Sequence, residues 1–204
     1  MTKDEITCSV LIPSRSNPSG VGPGSGPQGL DDTIASIYET AKGRVEVLIR
    51  IDSDDREIPK YQELFARWSK AELLRTALII GPRDGGYGEL NLRYDELAYL
   101  AVAPWILVFN DDAQIHGTGW AEQLSQIPTS GKIVYAENYQ LGASVYHQAM
   151  GYFPIVPRSC WKKFGWERLV DPIDSAFDSL LRVQNGWEPI FLSGMTMVHD
   201  GRPR

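Results

Sequence analysis

Two adjacent carboxylates, Asp111 and Asp112, follow the hydrophobic run WILVF that ends at Phe109. A buried strand would hold these carboxylates at a rigid end while they project into a loop open to ligand. Adjacent hard oxygen ligands suit Mg²⁺ or Mn²⁺, which bind through one or two carboxylates plus substrate phosphates. The other explanation is an Asx-type turn, in which Asn and Asp side chains bond to the local backbone. The motif alone leaves both explanations open.

A second acidic cluster ends another apolar run. The segment VEVLIRI, from Val45 to Ile51, is followed by Asp52, Asp54 and Asp55. Such carboxylates need a partner, because unpaired like charges raise one another's pKa values. A bound metal, or the hydroxyls and ring nitrogens of a nucleoside, would provide one. Two acidic strand ends in one chain therefore favour a ligand site over turn chemistry alone.

The elements that must position these clusters alternate between strand and helix. An apolar run from Ile6 to Pro13 predicts a first strand, and the helical spacing of apolar residues from Leu30 to Ala41 predicts the helix that follows it. With the strand Val45–Ile51 they form a βαβ unit, which requires parallel pairing. Later helices are predicted near Tyr61–Lys70, Leu90–Ala101, Trp120–Ile127, Arg158–Phe164 and Ile173–Gln184, and later strands end at Ile80 or cover Trp105–Phe109, Lys132–Ala136 and Pro189–Val198. In such a fold, ligands bind outside the carboxyl ends of the strands, where both acidic clusters fall.

A long loop follows the first predicted strand. The segment Ser14–Gly29 is rich in Ser, Gly and Pro, and loops of this length are usually functional or disordered. Because it lies beside the expected ligand edge, one hypothesis is a lid over bound ligand and the other is a disordered spacer. A second glycine-rich turn is expected at Gly81–Gly88.

Composition restricts the class of protein. The chain has 204 residues, of which 43% are hydrophobic and 23% charged, as expected for one folded domain. No apolar run approaches the roughly 20 residues that cross a bilayer, and Met1–Glu5 does not resemble a signal peptide, so we expect a cytoplasmic protein without a membrane span. The net charge of -6 disfavours a general nucleic-acid backbone binder. Cys8 and Cys160 lack metal-type spacing and are expected to be buried thiols.

The order of these segments resembles the family 2 glycosyltransferases with the GT-A fold. The family's opening strand is matched by SVLIPSRSNP, its nucleotide-reading segment by VLIRIDSDD and its metal-binding segment by WILVFNDDAQIHGTGW. Its acceptor-side segment, catalytic-base helix and metal histidine are matched by FPIVPRSCWKKFGW, DPIDSAFDSLLRVQNG and MVHD. The resemblance implies an α/β fold of the GT-A (Rossmann-like) type. A central, mostly parallel sheet would be flanked by helices, with a smaller mixed part on the acceptor side. Residues 1–137 would form the nucleotide-binding half and residues 138–204 the acceptor and catalytic half.

The resemblance also implies roles for individual residues. Those carried over to the nucleotide-sugar pocket are Pro13, Ser14, Arg15, Asp52, Arg93 and Asp111, joined by Asp54 from the second acidic cluster. Asp52 would recognise the base, commonly uracil, and Asp111 would lie against the ribose or the sugar. Asp112 and His199 would bind Mn²⁺ or Mg²⁺, although a histidine in a strand-like segment is also a common structural residue. The other histidines, His116 and His147, receive no role.

Two carboxylates compete for the role of catalytic base. Asp174 lies twelve residues before Gly186, close to the family spacing between the base and the glycine that ends its helix. Asp178 lies one turn later on the same helix face, but it can instead form an i,i+4 ion pair with Arg182. We expect the base to be Asp174 and keep Asp178 as the second candidate. The resemblance is weakest here, because Ile173 replaces the acid that often precedes the base.

The expected activity is metal-dependent, inverting transfer of one sugar from a nucleotide-diphosphate sugar, with a UDP-sugar favoured. The acceptor is an unidentified hydroxyl of a glycan, a lipid-linked glycan or a modified nucleic acid. Three tryptophans, Trp161, Trp166 and Trp187, are candidates for sugar stacking or for core packing. A nucleotidyltransferase that makes nucleotide-sugars is an alternative, but it would carry a basic phosphate loop where this chain offers Arg15. A non-catalytic nucleotide- or sugar-binding module is the other alternative.

Overall fold

The computed structural model describes residues 5–16, 26–83, 90–164 and 173–199, and for residues 162–164 and 173–174 it describes the backbone. Most of the expected lid loop and of the glycine-rich turn, residues 17–25 and 84–89, lies outside the described residues. No helix in the described part of the chain is long and apolar enough to cross a membrane. The two cysteines are buried free thiols, as expected.

The first part of the chain alternates strand and helix as predicted. Its elements are β1 (Cys8–Ser14), α1 (Gly26–Ala41), β2 (Val45–Asp52), α2 (Ile58–Trp68), β3 (Leu74–Gly81), α3 (Leu90–Leu100) and β4 (Trp105–Val108). Each strand is rich in apolar residues, and β1, β2 and β4 are almost wholly buried. The helix α1 begins at Gly26, four residues before the predicted start at Leu30.

The second part of the chain is mixed in strand direction. Its elements are β5 (Ala113–His116), α4 (Trp120–Ser125), β6 (Lys132–Leu141), β7 (Ser144–His147), β8 (Ile155–Pro157), α5 (Arg158–Phe164), α6 (Ile173–Phe177) and β9 (Glu188–His199). Residues Asp178–Gln184 continue α6 as π-helix. The sequence did not predict β5, β7 or β8. These strands of three or four residues are too short to show a hydrophobic period, and their pairing partners are distant in sequence.

All of these strands join one sheet. Along it the order is β3-β2-β1-β4-β8-β6-β9-β5, with β7 paired to β6. The strands β3, β2, β1 and β4 are parallel, as are β6 and β9, whereas β8, β7 and β5 pair antiparallel to their neighbours. This arrangement confirms the expected α/β class, with a parallel amino-terminal part of the sheet and a mixed carboxyl-terminal part.

Helices cover both faces of this sheet. The larger core packs α1, α2 and α4 against one face, through residues such as Ile34, Tyr61 and Trp120. The smaller core packs α3, α5 and α6 against the other, through residues such as Leu97 and Phe177. Successive residues of β1 point alternately into the two cores, as a strand buried on both faces requires. The site residues therefore project from the edges of a rigid layer.

A buried carboxylate, Glu46, joins several strands near their amino ends. The side chain of Glu46 in β2 is fully buried and accepts hydrogen bonds from Ser9 Oγ at 2.6 Å and from the backbone N–H of Val102 at 3.1 Å. Its other oxygen pairs with Arg75 on β3. Glu46 therefore joins β1, β3 and the loop between α3 and β4 to β2. These contacts fix the alignment of the strands, on which the positions of the acidic clusters at their carboxyl ends depend.

We predict that Glu46→Ala lowers the free energy of unfolding by about 3 kcal/mol, because it leaves the buried Ser9 hydroxyl and Val102 N–H without an acceptor. Urea denaturation of the two proteins measures the difference. The matched control is Glu39→Ala on the exposed face of α1, for which the expected change is within about 0.5 kcal/mol. Equal effects of the two substitutions would contradict the stabilising role of the Glu46 hydrogen bonds.

Candidate active site

The first group of site residues joins the end of β1 to the acidic loop after β4. The buried Ser14 hydroxyl donates to Asp111 Oδ2 at 2.7 Å and lies 3.0 Å from the Tyr61 hydroxyl. Since serine has one proton to donate, Tyr61 donates to Ser14, and burial raises the pKa of Tyr61 and keeps it protonated. Pro13, partly buried, precedes Ser14 in β1. This chain of hydrogen bonds brings the predicted residues Ser14 and Asp111 together.

Asp111 is more enclosed than a loop carboxylate usually is. It is 1% exposed, and the backbone N–H of Gly26 at the start of α1 lies 3.4 Å from Oδ2. Its carboxylate therefore fastens the amino end of α1 and the end of β1 to the loop after β4.

The second group is an ion-pair cluster at the ends of β1 and β2. Arg15 Nη1 donates to Asp52 Oδ2 at 2.8 Å and to Asp54 Oδ1 at 2.7 Å. Its Nη2 lies 3.2 Å from Asp54 Oδ2. Hydrogen bonding to Arg15 holds the pKa of the exposed Asp54 below its usual value, and the same contacts raise the pKa of Arg15. Three of the residues predicted to line the nucleotide pocket, Arg15, Asp52 and Asp54, are thus in direct contact.

A buried cation orients the predicted base-recognition residue. Arg50 is 1% exposed, and its Nη1 donates to Asp52 Oδ1 at 2.8 Å and to the carbonyl of Ile51 at 2.6 Å. Its Nη2 donates to the carbonyl of Pro82 at 2.6 Å. Arg50 therefore holds one oxygen of Asp52 and leaves the other, Oδ2, on the side of Arg15.

Two further residues complete this ion network. Arg50 Nε donates to Glu96 Oε2 at 2.9 Å, and Arg93 Nη1 donates to Glu96 Oε1 at 3.2 Å. The predicted donor-side residue Arg93, 7% exposed, is thereby connected to Asp52 through Glu96 and Arg50. Gly81 faces the same guanidinium, since a Cβ at this position would lie 3.0 Å from Arg50 Nη2.

The remaining acid of the second cluster has a local role. Asp55 is 5% exposed and accepts from the backbone N–H of Ser16 at 2.7 Å, from the Ser16 hydroxyl at 2.5 Å and from the backbone N–H of Glu57 at 2.9 Å. It therefore anchors the chain after β1 to the turn before α2. The turn-type explanation applies to Asp55, whereas Asp52 and Asp54 are held by charged groups.

The predicted metal ligands are neighbours across the sheet. Ala113, at the start of β5, pairs with His199 at the end of β9, and this register brings His199 Nε2 within 3.2 Å of Asp112 Oδ1. His199 Nδ1 lies 3.2 Å from the Tyr139 hydroxyl. The Asp112 side chain is 12% exposed and the His199 side chain 23%, so both are partly enclosed.

Asp112 and His199 could bind a divalent cation whose remaining coordination positions are filled by another ligand. Two ligands at right angles around Mg²⁺, each at about 2.1 Å, are about 3 Å apart, which matches the observed pair. The tautomer with the proton on Nδ1, bonded to the Tyr139 oxygen, leaves the Nε2 lone pair facing Asp112. Among the described residues no group of three or more His, Cys, Asp or Glu side chains could bind a metal.

The two candidate bases differ in their surroundings. Asp178 Oδ1 accepts from the Tyr135 hydroxyl at 2.7 Å and from Arg182 Nε at 2.8 Å, and its Oδ2 accepts from Arg182 Nη2 at 2.8 Å. Hydrogen bonding to Arg182 holds its pKa below the usual value. The i,i+4 ion pair given as the alternative role of Asp178 is therefore present. Asp174 lies in the first turn of α6, and its side chain lies outside the described residues.

The tryptophans are divided between core and undescribed residues. Trp161 is 5% exposed, its Nε1 donates to Asp95 at 2.7 Å, and its ring packs 5.1 Å from that of Phe177. It is therefore a core residue and is unavailable for sugar stacking. Trp187 packs against the same core while partly exposed, and Trp166 lies outside the described residues.

Three residues of this site were missed by the sequence analysis. Arg50 gave a signal, since a cation inside the apolar run VLIRID requires a buried partner. Tyr61 and Tyr139 gave none, because an aromatic residue on an amphipathic helix or strand is equally expected in the core. Their hydroxyl groups reach Ser14 and His199 through tertiary packing.

Similarity to solved structures supports the architecture described above. The chain superposes on a mannosyltransferase, PcManGT from Pyrobaculum calidifontis in complex with GDP-Man and Mn²⁺, with a TM-score of 0.65 and 14% identity. It also superposes on GalNAc-T7 with UDP, GalNAc and Mn²⁺, with a TM-score of 0.62, and on S. aureus TarS, with a TM-score of 0.61, each at 11% identity. The chain has the GT-A fold.

These similarities concern the fold and a part of each longer protein. The alignments cover 98%, 97% and 97% of this chain but 58%, 45% and 36% of the respective structures. No protein-family model and no curated protein sequence matches the chain. At these identities the GT-A fold is shared, and the activity has to be inferred from the residues of the site.

The Asp178 ion pair predicts a pH-dependent contribution to stability. Because its folded-state pKa is lowered, Asp178 stabilises the protein above its unfolded pKa of about 3.9 and loses this effect as pH falls through the folded-state value. We expect Asp178→Asn to cost about 1 kcal/mol at pH 7, after allowance for solvent screening, and less at pH 3. Urea denaturation at both pH values measures the difference, with exposed Glu63→Gln as control. A cost that is the same at both pH values would contradict this prediction.

Proposed function

We propose that the protein is a divalent-metal-dependent glycosyltransferase that transfers one sugar from a nucleotide-diphosphate sugar to a hydroxyl acceptor. The observation that carries the proposal is the placement of Asp112 Oδ1 and His199 Nε2 at 3.2 Å, in a GT-A fold and at the sheet edge where β1, β2 and β4 end. A two-ligand cation site of this kind needs phosphate oxygens to complete it. The neighbours described with GDP-Man, or with UDP and GalNAc, both contain Mn²⁺, and this supports Mn²⁺ or Mg²⁺ here.

The base of the donor is, in this proposal, uracil. Asp52 would accept a hydrogen bond from the base, and Arg50 already holds its Oδ1, which leaves Oδ2 to face the pocket beside Arg15. Oδ2 keeps a lone pair beyond its hydrogen bond from Arg15, and one such acceptor matches the single ring N–H of uracil. Guanine presents a ring N–H and an amino group side by side, and these match two carboxylate oxygens. The orientation imposed by Arg50 therefore supports a UDP-sugar.

In this proposal the other predicted site residues position the nucleotide-sugar donor, and one of them accepts the proton of the acceptor hydroxyl. Arg15 and Arg93 place positive charge beside a diphosphate, and Ser14 and Asp111 fix the loop against which the ribose or sugar would lie. A metal bound to Asp112 and His199 would supply Lewis-acid stabilisation of the charge on the diphosphate. In the expected single displacement, the acceptor oxygen forms a bond to the anomeric carbon and its proton passes to the base. The bond from that carbon to the diphosphate breaks, which inverts the configuration.

The base is assigned to Asp174 because of what surrounds Asp178. A general base needs a pKa near the working pH, whereas Asp178 is paired through both oxygens with Arg182 and has a lowered pKa. Asp174 lies one helical turn earlier, at the beginning of α6. In this proposal residues 138–204 form the acceptor and catalytic half, and Asp178 with Arg182 and Tyr135 fixes the helix that carries the base.

Donor binding provides the first test. We expect UDP to raise the melting temperature and Mn²⁺ to increase that rise, with smaller effects of GDP, because ligands of the folded state stabilise it by mass action. In Asp112→Ala and His199→Ala the affinity gained from Mn²⁺ should fall about 10- to 100-fold. The control is His116→Ala. His116 is an exposed histidine at the end of β5, and this variant should retain the full effect of Mn²⁺. No stabilisation of the folded protein by any nucleotide would contradict the proposed function, and a larger effect of GDP would contradict the assignment of uracil.

Turnover provides the second test and separates the two carboxylates. Release of UDP from a UDP-sugar that stabilises the protein is expected to fall by about 10² to 10⁴ in Asp174→Asn, because the proton acceptor is lost, with UDP affinity unchanged. Asp178→Asn, measured at a temperature where it is folded, should keep most of the rate. Equal rates for wild type and Asp174→Asn would refute the assignment, and a selective loss in Asp178→Asn would transfer the role to that residue.

A further inference from the structure

An uncharged, exposed surface lies beside the candidate metal site. Residues 138–153 include no Lys, Arg, Asp or Glu, in a chain that is 23% charged. They form the end of β6, the strand β7 and the connection towards β8. Large apolar side chains are exposed here, with Tyr146 46% and Tyr152 43% accessible. Exposed aromatic residues concentrated in an uncharged segment indicate a binding surface rather than a solvated hairpin.

Three tyrosine rings on this surface form what we call the tyrosine platform, Tyr139, Tyr146 and Tyr152. The ring of Tyr152 stacks on that of Tyr139 with centroids 4.2 Å apart and planes at 10°. Tyr146, paired with Tyr139 across the hairpin, stacks at 6.3 Å and 28°. Tyr139 is 4% exposed and thus lies beneath the two outer rings. The outer rings are supported by packing, so a ligand that stacks on them would not have to order them.

The tyrosine platform is joined directly to the candidate active site. The Tyr139 hydroxyl lies 3.2 Å from His199 Nδ1. Phe153, next to Tyr152, packs edge-on against His199 at 5.6 Å and against Phe109 at 4.9 Å. Phe153 has a φ of 44°, a strained backbone conformation for an aromatic residue, and such strain is usually found at functional positions. A molecule on the platform would therefore contact the site at its metal-histidine end.

We propose that the tyrosine platform binds the acceptor and that the acceptor is a neutral saccharide. The proposal rests on the proposed function, because it assigns the second substrate of the same site. One face of a sugar ring presents C–H groups that pack on an aromatic ring, and its edge presents hydroxyls that hydrogen-bond to polar side chains without requiring a charged partner. Exposed polar side chains among residues 138–153 are Ser144, His147 and Gln148, and Gln140 is partly exposed. His147 is held by Asn138, whose Oδ1 lies 2.5 Å from Nδ1.

The charge of the segment distinguishes a saccharide from two other acceptors. A nucleic acid would also stack on tyrosines, but its phosphates require nearby Lys or Arg, which residues 138–153 lack. A membrane surface with anionic lipids would require the same cations. The net charge of -6 makes both anionic partners less favourable still. A neutral polyhydroxyl molecule carries no such requirement.

Direct binding of simple sugars tests the proposal. The full chain, with UDP and diamagnetic Mg²⁺, is titrated with methyl glycosides of glucose, galactose, mannose and N-acetylglucosamine, and binding is followed by saturation-transfer NMR. We expect at least one glycoside to bind, and its affinity to fall at least fivefold in Tyr152→Ala. The conservative variant Tyr152→Phe should retain binding because it keeps the ring. Tyr99→Ala, which removes a tyrosine that is 83% exposed on α3, is the matched control and should bind as wild type does.

The outcomes separate this proposal from the proposed function. Stabilisation by UDP and Mn²⁺ in both wild type and Tyr152→Ala shows that the donor site and the fold are intact. If UDP binds but no glycoside does, or if a glycoside binds equally to wild type and Tyr152→Ala, the saccharide platform is refuted while the proposed function stands. Binding of a single-stranded oligonucleotide or of phospholipid vesicles that is lost in Tyr152→Ala would also overturn it. If UDP itself does not bind, the proposed function fails first.

Discussion

Parallel pairing of β1 with both of its neighbours is the constraint on which the candidate site depends. In register, Ser14 lies beside Ile51 and Leu11 beside Val108, so the loops that leave β1, β2 and β4 emerge at one edge. Four chemically distinct groups are brought together in this way: the β1 hydroxyl and guanidinium, and the two acidic clusters. Ser14 and Arg15 are neighbours in sequence, but each acidic cluster is more than 30 residues from them and from the other. A shift of one residue would turn each strand over and send its side chains to the opposite layer.

Carboxylates close together at the carboxyl ends of the strands repel one another, and hydrogen-bond donors held by the fold stabilise them. Asp52 is bonded to two arginines, Asp111 to a serine hydroxyl, and Asp55 to backbone N–H groups. Asp112 has His199 beside it. These partners differ in what a ligand can replace. Arg50 and Ser14 are buried and belong to the scaffold, whereas Arg15 and Asp54 are more exposed and able to rearrange around a nucleotide.

The sequence predicted the alternating part of the fold because long apolar runs and helical spacing carry enough residues to define a period. It placed the acidic clusters correctly at strand ends, and the proximity of Asp112 to His199 followed from family order. The strands β5, β7 and β8 escaped because three or four residues show no period. The contacts of Tyr61 with Ser14, of Tyr139 with His199 and of Tyr135 with Asp178 arise from packing between distant segments, which no local pattern encodes. The roles of Asp174 and of residues 17–25 remain predictions, since the described residues do not include that side chain or that loop.

Gly81 offers a final consequence, for how this sequence can change over evolutionary time. Any side chain at position 81 would press on the Arg50 guanidinium, which has no room to retreat because it is bonded to Asp52, Glu96 and the carbonyl of Pro82. Positions 50 and 81 should therefore vary together. A lineage that replaces Arg50 with a smaller residue frees position 81 to acquire a side chain, and the same step releases Asp52 to present both of its oxygens. If the proposed function holds, substitution at Gly81, which pairs with Asp52 in the sheet, would thus mark a change in the nucleotide that binds.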